Sequence, residues 1–475
     1  MIKRLKMWKI IVITLIAFLL YIIIGGVIPF CKQPSVTEDT IEEVKKTNYY
    51  GDDYISERVR LLVDNDNALE ERIRMISQAQ EKVILSTFQF YADDSGKAIF
   101  ASLIDAANRG VEVQVIVDGV SKLAQFSDSK YFITLAETDN VELKVYNPIS
   151  LLRPWSINGR LHDKYLLVDD SLYILGGRNI FGSFLGSNSD HKNHDLDVLV
   201  YNPDDTPTHS TKQLLEYFDE IWNNDYNKTV SNKLGFLYKK RIDKVNEELK
   251  LVYEGLQKSH PDWFESSDYY SETLPIKNIQ LLTNPTTVYA KEPIVFYTIS
   301  QLMQDGQKEI SFHTPYIIAN NWMMDELETI CDKVPNVTML TNSVANNGNP
   351  FGAVDYWQNK EDVLETGVNI LEYDSGISYH GKCFTIDDRL SSVGSFNFDM
   401  RSTYIDTETM VVIDSEDFNE ELRQAMKVYE EEALQVIDKD ISISPQDKEA
   451  QKISLSKRLM LIFAGVLKIF FRFLF

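Results

Sequence analysis

With 475 residues, the chain is too long for one ordinary hydrophobic core and calls for at least two domains. Hydrophobic residues at 44% and aromatics at 11% can build such cores, which excludes a disordered or fibrous chain. The formal net charge of -23 runs against a nucleic-acid binder, which needs a basic footprint, and three scattered cysteines (Cys31, Cys331 and Cys383) exclude a disulfide framework or a zinc ribbon.

The first element is an uncharged run over residues 10–30, long enough to cross a bilayer core of roughly 20 apolar residues. Lys3, Arg4, Lys6 and Lys9 precede it, and Glu38, Asp39, Glu42 and Glu43 follow it. The positive-inside rule then expects a single-pass anchor with the rest of the chain on the extracytoplasmic side. Pro29 and Phe30 are a poor context for signal-peptide cleavage, and the bulky Phe30 argues against a lipoprotein at Cys31.

A polar linker leads to two copies of one pattern. In the first, a helical stretch (ALEERIRMISQAQ) precedes the apolar run KVILSTFQF, and the helix GKAIFASLIDAANRG precedes VEVQVIVDG. In the second, EPIVFYTISQLMQDGQ leads to EISFHTPYI, and WMMDELETICDKV leads to NVTMLTNSV. Such alternation predicts βαβ units and a largely parallel sheet in each copy. The copies span residues 58–222 and 278–435, separated by a charged helical connector at 223–277 whose charges fall three and four apart, as on a solvated helix face. The last segment, 457–475, is apolar but carries Lys457, Arg458, Lys468 and Arg472. It reads as a helix in the membrane interface with its basic groups meeting anionic headgroups.

Chemistry concentrates in one place per copy. His162, Lys164 and Asp169 are followed by Gly176, Gly177, Arg178 and Asn179; His380, Lys382 and Asp387 are followed by Gly394, Ser395, Phe396 and Asn397. Both read HxKxxxxD and then GxxN at equal spacing. One HxKxxxxD arises by chance on the order of a few per cent of the time in a chain this long; two at matching places do not. Histidine and lysine two apart on a strand project from one face. A pseudo-twofold arrangement therefore gathers two histidines and two lysines in one cleft. Imidazole can serve as nucleophile or acid, while Lys164, Lys382, Asn179 and Asn397 can hold phosphoryl oxygens, so no metal or cofactor is needed.

Asp169 and Asp387 stand seven positions from their histidines, an odd separation that points them to the opposite face as structural residues. The acids that orient the histidines must come from elsewhere. Asp197 and Glu408, each on an apolar strand after its Asn, are the candidates. A metal cluster of His191, His194, Asp195 and Asp197 is less plausible than a polar loop, and His313 reads either as lining the cleft or as a satisfied core residue.

These motifs resemble the phospholipase D superfamily, which paired HxKxxxxD and GxxN sequences define, and within it the bacterial cardiolipin synthases. The likeness rests on RLHDKYLLVDDSLYILGGRNIFG with DLDVLV, and on HGKCFTIDDRLSSVGSFNFDMRS with DTETMVV. It implies an α/β duplicated fold of two mixed or parallel sheets flanked by helices, with the active site at the pseudo-twofold interface. It also implies a phosphatidyltransferase working through a phosphohistidine, with His162 as nucleophile and His380 as acid/base, the reverse order remaining open. Phospholipid substrates, phosphatidylglycerol among them, and a membrane are the implied partners, with neither nucleic acid nor metal. A phospholipase D using water and a membrane-tethered nuclease are the alternatives. Two departures stand out: Gly177 lacks the hydroxyl of Ser395, and Asp406 replaces an Asn common in this branch.

Overall fold

The alternating stretches fold into two nine-stranded sheets, one per half, in the computed structural model, which describes residues 2–120, 129–204, 209–230, 235–444 and 449–475. Side chains of Lys3, Arg4 and Lys6, and residues 231–234 of the expected connector, lie outside the described residues.

In the first sheet the strands Lys82–Thr87, Glu112–Asp118 and Val141–Tyr146 run parallel, linked by helices such as Asp94–Asn108. Four further strands extend the sheet antiparallel in the order Tyr165–Val168, Leu172–Gly176, Asp197–Tyr201 and Arg58–Leu62. The second sheet repeats this plan. Glu309–His313, Asn336–Asn342 and Asn369–Tyr373 are parallel; Cys383–Ile386, Leu390–Gly394, Thr409–Asp414 and Asn278–Thr283 are antiparallel. The sheets are thus mixed, and the parallel part is confined to three strands in each. The cause is the tight turn after each motif strand. Asp169 and Asp170 at φ 50° and 56°, and Asp387 at φ 52°, adopt the left-handed conformation that Asp tolerates and that folds a strand straight back into a hairpin.

The motif aspartates also tie these hairpins to the neighbouring strand. Asp169 accepts the backbone N–H groups of Gln80, Glu81 and Lys82. Asp387 accepts those of Gln307, Lys308 and Glu309. Each sits at the end of its strand remote from the histidine.

One face of each sheet carries its own helices, giving two separate cores. The opposite faces meet in a third: Val59, Ile84, Leu175, Val198 and Phe218 from the first half pack with Val393, Val411, Ile413 and Leu422 from the second. Backbone pairing crosses the same boundary twice. Tyr379 pairs with His194, and Leu161 bridges to Thr407. These are equivalent positions with the halves exchanged, which is the pseudo-twofold.

The connector helix Gly235–Ser259 is more than a solvated face. Val245 and Leu249 are buried in the first core, because apolar residues recur along one side of it among the charges. At the N-terminus, helix Ile2–Val27 contains an exposed apolar stretch long enough to cross a membrane. At the other end, helix Leu455–Phe471 lies on helix Pro350–Glu365.

Asp387→Ala leaves three backbone donors without their acceptor and should destabilise the chain by about 1–2 kcal/mol. Asp387→Asn, which tolerates the left-handed turn, should lose less. Thermal unfolding of the full chain in detergent measures both.

Candidate active site

The loops that close the two hairpin regions carry the histidines into the seam between the halves. Arg160, buried, fixes the approach to His162 by donating to the carbonyls of Asn147 and Ser156, while Asp118 accepts the Leu161 N–H. The backbone N–H of His162 donates to Thr407 Oγ1, and that of His380 donates to the His194 carbonyl. Each histidine is therefore held by the half to which it does not belong.

The acids follow the same exchange. His162 Nδ1 lies 2.9 Å from Glu408 Oε1, and His380 Nδ1 lies 2.6 Å from Asp195 Oδ2. The carboxylates are fully buried and 12% of each imidazole side chain reaches solvent. With Nδ1 engaged, Nε2 is left to meet a reacting atom.

Glu408 thus orients His162, but Asp197 does not orient His380. Asp197 pairs with Arg72 at 2.8 Å and with Arg178 at 3.3 Å, inside the first half. Its neighbour Asp195 takes the role. The signal was present in the chain: aligning the apolar triads at 198–200 and 411–413 sets Glu408 opposite Asp195. The strand registers agree, since Gly176 pairs with Asp197 and Gly394 with Met410. Asp195 and Asp197 are two apart, so alternation alone cannot separate them.

The Gly177 departure has its explanation here. A Cβ on Gly177 would stand 2.2 Å from Asp195 Oδ1, so the carboxylate fills the space a serine would need. In the second half Ser395 donates its hydroxyl to Glu408. Asp406, the other departure, accepts the Arg160 N–H and pairs with Arg401 at 2.8 Å.

Lys382 Nζ lies 2.6 Å from His380 Nδ1 and 3.1 Å from its Nε2, and Lys164 bonds the His162 carbonyl while resting over the Phe88 ring. Asn179 Oδ1 accepts the Gln89 N–H; Asn397, buried, has no partner for its Oδ1 among the described residues. Phe88 meets His162 edge-on at 5.3 Å, and Phe184 meets His380 at 5.0 Å. His313 lies behind this layer, bonded to Tyr379 and Glu430, a satisfied core residue. Lys291 is a buried lysine that the motifs do not reveal; its amine bonds the Thr287 carbonyl, and burial lowers it to about 7.

The electrostatics come from crowding buried charge. Burial, then Lys164 and Lys382, push His162 well below the usual imidazole range. Burial and Lys382 bring His380 down to about 4. Burial lowers Lys164 to about 8 and Lys382 to about 7. Burial raises Glu408 to about 8, whereas Asp195, despite burial, is held below its usual value by Lys382 and His380. Each histidine feels the lysine of the other half, so the two motifs form a single site. Near neutral pH these shifts favour unprotonated imidazoles beside lysines on the edge of losing their charge. An anionic phosphodiester between the lysines would favour their charged forms and the protonation of one imidazole. The arrangement suits attack by one imidazole on phosphorus and proton delivery by the other.

Comparison with known proteins bears on the family and the fold. A family model described as "Cardiolipin synthase, PLD-like domain" matches residues 72–222 and 299–429. Cardiolipin synthase C of Escherichia coli is 26% identical over 394 residues, covering 74% of this chain and 80% of that protein. Cardiolipin synthase 1 of Staphylococcus epidermidis is 24% identical over 453 residues, covering 88% and 83%. The crystal structure of phosphatidylserine synthase from Haemophilus influenzae shares the fold, with a TM-score of 0.63 at 14% identity over 90% of this chain and 98% of that one.

Two measurements test the site. Asp195→Asn should lower kcat by about 10²–10⁴-fold with the fold intact, whereas Asp197→Asn should cost about 3 kcal/mol of stability by stranding buried arginines. In a pH profile of phosphodiester turnover, kcat/KM should fall on the alkaline side as Lys382 and Lys164 lose protons near pH 7–8. Lys382→Arg, which keeps its charge, should move that limb upward.

Proposed function

The chain belongs to the family of cardiolipin synthase PLD-like domains, within the phospholipase D superfamily, and on that premise we propose that it is a phospholipid phosphatidyltransferase that makes cardiolipin. The observation that carries the reading is the pair of histidines, each held at Nδ1 by a buried acid of the opposite half and flanked by its own lysine.

His162 Nε2 attacks the phosphorus of a donor phospholipid. The bond from phosphorus to the headgroup alcohol breaks, and His380 gives that oxygen a proton. Lys164, Lys382, Asn179 and Asn397 hold the phosphoryl oxygens as their charge grows. His380, now neutral, removes the proton from a terminal glycerol hydroxyl of phosphatidylglycerol. That oxygen attacks the phosphohistidine, the nitrogen–phosphorus bond breaks, and the imidazole is restored. Similarity to the named synthases supports a lipid acceptor, and the N-terminal apolar helix supports a membrane location. The basic residues before that helix favour a body on the extracytoplasmic side, which protease access in intact cells would reveal.

The deciding experiment is lipid analysis of cells that lack cardiolipin and express the chain, its His162→Ala form or its His380→Ala form. Cardiolipin should appear only with the unaltered chain. Phosphatidic acid in its place would make water the acceptor. No lipid change from a membrane-inserted protein would return the site to nucleic-acid phosphodiesters. Acid-labile phosphate retained on His162 in the His380→Ala form would identify the nucleophile.

A further inference from the structure

The C-terminal helix Leu455–Phe471 is built inside out. Leu455, Leu459, Ile462, Phe463, Val466, Ile469 and Phe470 share one arc of the helix, and each is more than half exposed. The opposite arc carries Ala464 and Leu461, both buried, together with Lys457, Lys468 and Arg472. Lys468 lies 2.8 Å and Arg472 2.7 Å from Asp355 of the underlying helix, and Lys457 donates to the carbonyls of Ala345 and Asn347. A helix packed on a water-soluble body shows the reverse polarity. An apolar stripe this long is not left in water without an occupant. This corrects one expectation from the sequence: Lys457, Lys468 and Arg472 are turned to protein acceptors, not to headgroups.

The structure also shows what lies next to the stripe. Gln33, just beyond the end of the N-terminal apolar helix, bonds Asn320; Arg472 bonds the carbonyl of the adjacent residue, Ala319. Phe30 is buried in the second core, against which Phe473, Leu474 and Phe475 also pack. The two helices therefore end at the same turn. The N-terminal helix is also fixed to the catalytic loop. Asn158, four residues before His162, donates to the Gly26 carbonyl; Tyr21 donates to the Leu152 carbonyl; and Leu151 and Leu152 project from that loop, exposed. On the other side the supporting helix begins beside Tyr316, whose ring lies 6.3 Å from His380.

We infer that the outward face of helix Leu455–Phe471, together with Leu151 and Leu152, is a second membrane contact that lies in the bilayer crossed by the N-terminal helix. It rests on the membrane location in the proposed function, though not on the reaction. The Asp355 pairs clamp the charged side of the helix to the protein and so turn the stripe outward. With one membrane element bonded beside each histidine loop, the cleft is held at the lipid surface from both flanks.

The test reads depth, independently of catalysis. The full chain, with Cys31→Ser, Cys331→Ala and Cys383→Ala, is reconstituted in liposomes of phosphatidylglycerol and phosphatidylethanolamine. It carries one spin label at a time, at Ile462→Cys, Ile469→Cys or the exposed control Lys212→Cys. Oxygen should relax the labels at 462 and 469 more than a water-soluble nickel chelate does, with the order reversed at 212. A water-like order at 462 and 469 would overturn the inference, as would exclusion of both agents with spin–spin broadening, the mark of a second protein copy. Adding Ile462→Asp and Ile469→Asp to the otherwise unaltered chain should lower transfer between liposomal lipids by about tenfold relative to turnover of a monomeric short-chain phospholipid. Lipid-like relaxation without any transfer activity would uphold the membrane face while rejecting the reaction.

Discussion

Everything in the catalytic region depends on a hydrogen bond made across a seam. An imidazole can be presented to a substrate only if its ring is fixed and its tautomer set, and here both are set by a carboxylate belonging to the other half. The backbone reinforces the exchange, since Leu161 pairs with Thr407 and Tyr379 with His194 immediately before each histidine and each acid. The buried apolar face shared by the two sheets keeps the seam in register. The site is thus a property of the interface between the halves and not of either one.

Burial gives this interface its chemistry as well as its shape. Carboxylates, lysines and imidazoles crowd into a volume from which water is largely excluded, and each perturbs the others. The cost of burying so many charges is offset where they pair. Asp197 is the clearest case: between Arg72 and Arg178 it is a structural ion cluster, two residues from the acid that holds His380. Asp399 shows the same economy, capping the short helix after the second motif while burial lifts its carboxyl to about 7.

Much of this was legible in the chain. The repeated spacing of histidine, lysine and asparagine located the motifs, because those residues must share a face and a cleft. The duplication showed that there would be two sheets. What the spacing could not convey was which chain segment faces each histidine, because contacts across the seam leave no periodic trace in either partner. Period-two alternation likewise could not choose between Asp195 and Asp197, which point the same way. The polarity of the C-terminal helix was hidden for a related reason. Lys468 and Arg472 pair with Asp355, more than a hundred positions away, and a partner so remote leaves no trace in the local pattern.

The exchange of acids also bears on ancestry. A single half paired with a copy of itself would complete both sites by symmetry, each protomer lending its acid to the other's histidine. Joining the two halves in one polypeptide removes the obligation that both sites be alike. The pairing of Gly177 with Asp195 on one side and of Ser395 with Glu408 on the other is a divergence that an identical pair of subunits could not hold. Once the halves shared a chain, mutation could give one histidine and its twin different tasks.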